Sequence, residues 1–177
     1  MFVPFLRENK IAAGILTIIR LFLGYSWLSS GWGKLTGGFD ASGFLGNAVT
    51  NPVKGPDGNI VYGWYVSFLE GFALPNIGLF NFFIPLGEFL VGLGLILGCF
   101  TTAAMFFGLM MNFSFFLAGT VSSNPTGIFL GTIILVAGAN AGYYGLDRWV
   151  IPYLRRTILK KKDNNPTSPT MVPKKAA

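Results

Sequence analysis

The sequence predicts an all-α integral membrane protein: a four-helix bundle with short amphipathic interfacial helices in one long loop. Hydrophobic residues make up 52% of the 177 residues, and the mean hydropathy is +0.57. Charged residues make up 11%, less than half of the roughly 25% typical of soluble domains. A chain this small could not bury so much apolar surface in water. Four segments also approach the length of about 20 apolar residues that a bilayer requires.

The four predicted spans are runs of mostly apolar residues. They cover residues 11–32, 78–100, 101–121 and 126–144. Only a short turn separates the second run from the third, so we expect a tight helical hairpin there. The first run is not a cleaved signal peptide, because it is too long and carries Arg20 at its centre.

The distribution of cations predicts the orientation in the membrane. Arg7 and Lys10 precede the first span, several cations follow the fourth, and the loop at 36–77 has only Lys54. The positive-inside rule therefore predicts a multi-pass protein of the cell (plasma) membrane, with both termini cytoplasmic and the loop outside. This orientation accounts for the net charge of +6, so no nucleic-acid partner is expected.

The chain divides into one transmembrane domain, residues 1–155, and a basic, Pro-rich cytoplasmic tail, residues 156–177, which we expect to be disordered. The outer loop at 36–77 contains two apolar stretches with helical spacing on either side of a turn-rich segment. These stretches predict short amphipathic helices, either as interfacial anchors or as a lid over the bundle.

Two residue types limit the chemistry. The chain has no His and one cysteine, Cys99. These counts exclude haem with a His ligand, a His-based zinc site, a Ser-His-Asp triad and an internal disulfide. No haem or metal is expected, and any redox reaction requires a diffusible cofactor.

The strongest site prediction concerns two charges inside the spans, Arg20 and Glu88. Counted from the ends of their spans, they lie roughly 13 Å and 15 Å deep, near the midplane of a core about 30 Å thick. An ionised group at this depth needs a partner, so we expect Arg20 and Glu88 to pair. The pair is either a structural ion pair that fixes helix register or the centre of a ligand or proton site.

Polar and small residues with helical spacing predict a cavity around that pair, because they converge from three helices. Trp27 would supply a flat wall, and the cavity would open outward toward Lys34. The expected lining residues are Gly24, Trp27, Lys34, Asn81 and Asn112. Such a cavity suits a quinone or a small anion.

Several motifs resemble the DoxX family of small bacterial membrane proteins. They are Arg20-Leu21 with Gly24, Gly31-Trp32-Gly33-Lys34-Leu35, Gly87-Glu88 with Gly92 and Gly98, and Ala141-Gly142-Tyr143-Tyr144-Gly145-Leu146-Asp147. The long outer loop is similar to that of the DoxD branch, the large subunit of thiosulfate:quinone oxidoreductase.

The resemblance implies a membrane subunit of a quinone-linked oxidoreductase. In that branch thiosulfate is oxidised to tetrathionate outside and quinone is reduced in the membrane. Arg20 and Glu88 would be the catalytic residues, and the other lining residues would bind quinone or substrate. Partners would be the lipid bilayer and a small companion subunit or a second copy of the chain. Alternatives are a non-catalytic membrane scaffold or assembly factor, and a small-molecule carrier.

Overall fold

The computed structural model describes residues 2–163, with side chains described through residue 157. This part of the chain is helical and contains no β-strand, which confirms the predicted all-α bundle. The helices are α1 (Phe2–Glu8), α2 (Lys10–Gly37), α3 (Ser42–Thr50), α4 (Gly63–Phe68), α5 (Ile77–Leu97), α6 (Thr101–Leu117), α7 (Asn124–Ala137) and α8 (Asp147–Asp163). A π-helical segment, Leu69–Ala73, continues α4, and a 3₁₀ turn, Gly138–Gly142, continues α7.

Three of the four predicted spans are long and apolar enough to cross a membrane: Lys10–Gly37, Ile77–Leu97 and Asn124–Gly142. The remaining one, α6, is an apolar helix of 17 residues, about 25 Å long. It follows α5 after a turn of three residues, so the expected hairpin is present. The chain is therefore a membrane protein built on a helical bundle.

The bundle has two ends. We call one end the loop end; there α2 finishes and α7 begins. We call the opposite end the terminal end; there α2 begins and α7 finishes.

Helix α2 starts where Asn9 Oδ1 accepts hydrogen bonds from the Ile11 and Ala12 backbone N–H groups. It stops at Gly38, whose φ of 74° ends the helix in the left-handed region.

Glycines fix the register between α2 and α5. A Cβ on Gly31 would collide with the backbone of Phe89, and one on Gly92 would collide with the backbone of Leu28. Two turns before Gly31 on α2, a Cβ on Gly24 would lie 2.9 Å from Ile96 Cγ1. The two helices therefore run antiparallel at close range, as small residues permit in lipid.

The chain between α2 and α5 forms a cap over the loop end. Its two predicted amphipathic helices exist as α3 and α4, and their apolar sides form one cluster with the ends of α5 and α6. Tyr65 Oη donates to Ser114 O at 2.9 Å, and the rings of Phe44 and Phe115 meet edge to face with centroids 6.1 Å apart. Both contacts tie the cap to α6.

At the terminal end, α8 continues through Asp163, so the first part of the predicted disordered tail, 156–163, is helical. The rest of that tail, residues 164–177, lies outside the described residues.

Candidate functional site: a polar cavity beside Lys34 and Glu88

A cavity of about 450 Å³ lies between α2, α6 and α7 in the half of the bundle nearest the loop end, with Glu88 of α5 in its wall. It contains four of the seven residues that the sequence singled out: Trp27, Lys34, Glu88 and Asn112. The other lining residues are mostly hydroxyl-bearing or aromatic. They are Phe22, Leu23, Ser26, Ser30, Phe115, Ser122, Ser123, Asn124, Thr126 and Gly127.

Glu88 is the buried charge of this cavity, with 2% of its surface exposed. Its Oε1 lies 2.5 Å from Lys34 Nζ, and its Oε2 accepts a hydrogen bond of 2.9 Å from Ser30 Oγ. Lys34 Nζ also donates to Ser30 Oγ at 3.3 Å. The three side chains thus form a closed ring of hydrogen bonds in which the carboxylate is paired, as burial in a membrane protein demands.

The Lys34 ammonium is further held by aromatic rings. Its Nζ lies 5.3 Å from the centroid of Phe39 and 5.9 Å from that of Phe115, distances at which a ring face attracts a cation. Phe115 also lines the cavity. The charge therefore sits at the boundary between the cavity and the cap.

Asn112 lines the same cavity and has an unused hydrogen-bond donor. It is 5% exposed, and its Nδ2 has no hydrogen-bond partner among the described residues. Gly127 of α7 makes room for it, since a Cβ there would lie 2.8 Å from that nitrogen. An unpaired amide costs about 1–3 kcal/mol, so the Asn112 donor calls for an acceptor supplied by a ligand or a water.

Trp27 forms one wall. Its side chain is buried, and it lines the cavity together with Lys34 and Asn112. The expected flat wall beside the polar groups is therefore present.

The predicted Arg20–Glu88 pair is wrong. The guanidinium of Arg20 is 2% exposed and lies at the terminal end, where Nη2 donates to Tyr144 O at 3.4 Å. Glu88 instead lies beside Gly31, three turns further along α2 or about 16 Å. Helix α2 has 28 residues, about 42 Å, so depth counted from its start does not give depth in the membrane.

Arg20 has its own surroundings. Gly98 and Gly145 border its guanidinium so closely that a Cβ on Gly98 would collide with Nη1. The carboxylate of Asp147 interacts electrostatically with it. Asp147 itself accepts hydrogen bonds from Phe100 N at 2.6 Å and Thr101 N at 2.9 Å, and so caps the start of α6. Arg20, Gly98, Gly145 and Asp147 thus form a contact cluster that joins the α5–α6 turn to the chain after α7. We call this cluster the clasp.

Two further predicted lining residues lie elsewhere. Leu95 and Ile96 of α5 occupy the space beside Gly24, so this glycine serves the packing of α2 against α5. Asn81 ties the cap to α5: its Oδ1 accepts from Ala41 N at 2.8 Å, and its Nδ2 donates to Asp40 Oδ1 at 3.1 Å.

Ser30 is the main residue that the sequence reasoning missed. It precedes Lys34 by four residues, and side chains at that spacing share one helix face, so the signal was present. The serines at 122 and 123 gave no such signal, because they lie in the turn before α7.

A comparison with known protein families matches residues 15–120 to DoxX. The match runs from within α2 through the end of α6 and includes Lys34, Glu88 and Asn112. No curated protein and no solved structure matches the chain. The matched stretch covers more than half of the sequence, and the chain belongs to the DoxX family.

Proposed function

We propose that the chain is the membrane subunit of a quinone-linked oxidoreductase, and that the cavity beside Lys34 and Glu88 binds the quinone head group. The observation that carries the proposal is the buried, unpartnered Nδ2 of Asn112, a residue that lines the same cavity as Lys34. Two donors in one cavity suit a head group with two carbonyl acceptors. The ring of Trp27 offers a surface on which a flat head group stacks.

A bound quinone supplies an acceptor for two electrons and two protons. This chain's residues would orient it and handle the protons. Lys34 Nζ carries a proton beside the cavity and would give it to a head-group oxygen as the quinone is reduced. Because the Lys34 side chain is 29% exposed, water at the loop end would return a proton to it for each one given up. Glu88 balances the charge of Lys34 at rest.

The electron donor in this proposal is thiosulfate or another small sulfur species. Two thiosulfate ions joined by a new S–S bond release two electrons, which matches the demand of one quinone. Such an anion would approach from the loop end, where Lys34 is 29% exposed and Ser122 and Ser123 line the cavity. With the termini in the cytoplasm, that end faces outside.

The test is quinone reduction by thiosulfate or sulfide, with the full chain in lipid nanodiscs, alone and with any co-purifying subunit. We expect Lys34→Gln and Asn112→Leu each to lower turnover by about tenfold or more, as loss of a positioned donor does. The matched control is Lys54→Gln, because Lys54 is exposed in the outer loop. Absence of both turnover and quinone binding in the unaltered protein would contradict the proposal and leave the scaffold alternative.

A further inference from the structure

The cavity has a second feature: its wall is incomplete between α2 and α7. We propose that it opens sideways between α2 and α7, and that a carbonyl-bearing amphiphile with a long apolar tail enters and leaves by this gap. The inference rests on the proposed function and deepens it, since it assigns the lipid-soluble reactant a route and a tail site separate from the aqueous approach at the loop end.

The exposure of the lining residues shows where the wall is open. At the back, Leu23, Trp27, Glu88 and Asn112 are buried. On the α2–α7 side, Ser26 and Ser30 of α2 and Thr126 of α7 line the same cavity and are exposed. Side chains that border an interior space and are also accessible from outside mark its entrance.

The gap is limited to one half of the bundle. Toward the terminal end, α2 and α7 belong to one apolar cluster that includes Leu16, Ile134 and Ala137, all nearly inaccessible. Toward the loop end, the polar cavity takes the place of such packing. The two helices are therefore joined at one end and separated by the cavity at the other.

The gap faces lipid. Phe22 and Tyr25, on the outer side of α2 beside it, are 60% and 71% exposed, and both lie within a helix apolar enough to span the membrane. Large exposed apolar side chains at this depth are compatible with hydrocarbon and unfavourable in water. A ligand that enters here must dissolve in the bilayer.

The cavity is polar at one end and apolar at the other. Lys34, Glu88 and Ser30 lie toward the loop end. Phe22 and Leu23 lie toward the terminal end, about 17 Å along α2 from Lys34. A head group bound at Lys34 would leave its tail beside Phe22, where the gap leads out to lipid. The hydroxyls of Ser26 and Thr126 at the rim give the head group hydrogen-bond partners as it crosses.

The test compares two benzoquinones with the same head group, one with a decyl tail and one without a tail. Binding is measured by quenching of Trp27 fluorescence in nanodiscs, in a background where the other three tryptophans are Phe. Those three, Trp32, Trp64 and Trp149, are all exposed, so the replacements are tolerable. The blocking variant is Ser26→Phe, with Thr126→Phe on the opposite rim as a second block should the first fail to fold.

We expect Ser26→Phe to raise the Kd of the tailed quinone about tenfold or more and that of the tail-less quinone less than about threefold. The matched control is Ser29→Phe, because Ser29 is exposed on α2 but does not line the cavity; both Kd values should stay unchanged. Equal shifts for the two quinones, or no shift, would overturn the lateral route while leaving the proposed function. Failure of the parent protein to bind either quinone would overturn both.

Discussion

Lys34 Nζ lies 2.5 Å from Glu88 Oε1, and this ion pair joins the end of α2 to the middle of α5. The carboxylate is almost completely buried, whereas the lysine side chain is 29% exposed. The Glu88 charge therefore needs Lys34 as its counterion, whereas water can also solvate the Lys34 charge. Ser30 bridges the two and keeps both oxygens of the carboxylate occupied.

Removal of Lys34 should destabilise the bundle. In Lys34→Met, Glu88 is left as a buried carboxylate without its cation, and we expect the free energy of unfolding to fall by about 2–4 kcal/mol. The double variant Lys34→Met/Glu88→Met should recover part of that loss, because no charge is stranded. Denaturant unfolding in detergent measures both, with Lys54→Met as the control. Additive effects of the two single substitutions would contradict the pairing.

The sequence identified the charges that matter but paired them wrongly. Composition and span length were enough for the all-α membrane bundle, and helical spacing was enough to place Trp27, Lys34 and Asn112 in one site. The partner of Glu88 depends on how far α2 slides along α5, and that register is set by contacts of Gly31 and Gly92 with the opposite backbone. Such contacts have no signature in the hydropathy of either helix.

The roles of Asp147 and Asn81 could not be predicted from the sequence for the same reason. Asp147 follows the last span, and nothing local indicates that it caps α6 and acts on Arg20. Asn81 has the helical spacing of a lining residue, but it lies two turns nearer the cap than Glu88, where it bonds to Asp40 and Ala41. Both roles arise from tertiary contacts.

Gly98 should tolerate no side chain. Its φ is +62°, and a Cβ would collide with Arg20 Nη1, so Gly98→Ala combines a backbone cost with overpacking. We expect a loss of about 2–5 kcal/mol in unfolding free energy. Gly38→Ala is the matched control, because Gly38 has φ +74° but open space around it, and only the backbone cost of about 1–2 kcal/mol applies. Equal losses would show that Gly98 is not packed against Arg20.

Asp147→Ala should loosen the clasp at the terminal end. The substitution leaves the Phe100 and Thr101 N–H groups without their acceptor and removes the negative charge near Arg20. We expect a loss of about 1–3 kcal/mol, with faster hydrogen exchange at the start of α6. Asp57→Ala, in the exposed loop, is the control. Unchanged exchange at Phe100 and Thr101 would refute the capping role.

The cap should weaken in acid because of Asp40. Hydrogen bonds from the side chain and backbone of Ser42, and then from Asn81, lower the pKa of the Asp40 carboxyl below its usual value. A lowered pKa in the folded state means that this carboxylate stabilises the fold above the ordinary Asp pKa of about 3.9 and that the contribution is lost as pH falls through the lower, folded value.

Ser42→Ala removes the largest of these hydrogen bonds. We therefore expect a smaller drop in Tm between pH 6 and pH 3 than in the unaltered protein. Ser67→Ala is the control, since its hydroxyl bonds to the backbone oxygen of Gly63. An identical pH dependence in Ser42→Ala and the unaltered chain would contradict the role of Asp40.

The most direct test of the central claim is a structure of the chain in lipid nanodiscs with a brominated, tailed benzoquinone bound. We expect the head group to lie between Trp27, Lys34 and Asn112, with a carbonyl oxygen within hydrogen-bond distance of Asn112 Nδ2. A head group bound beside Arg20, or in the apolar groove that Leu90, Leu97 and Phe107 line between α5 and α6, would contradict this placement.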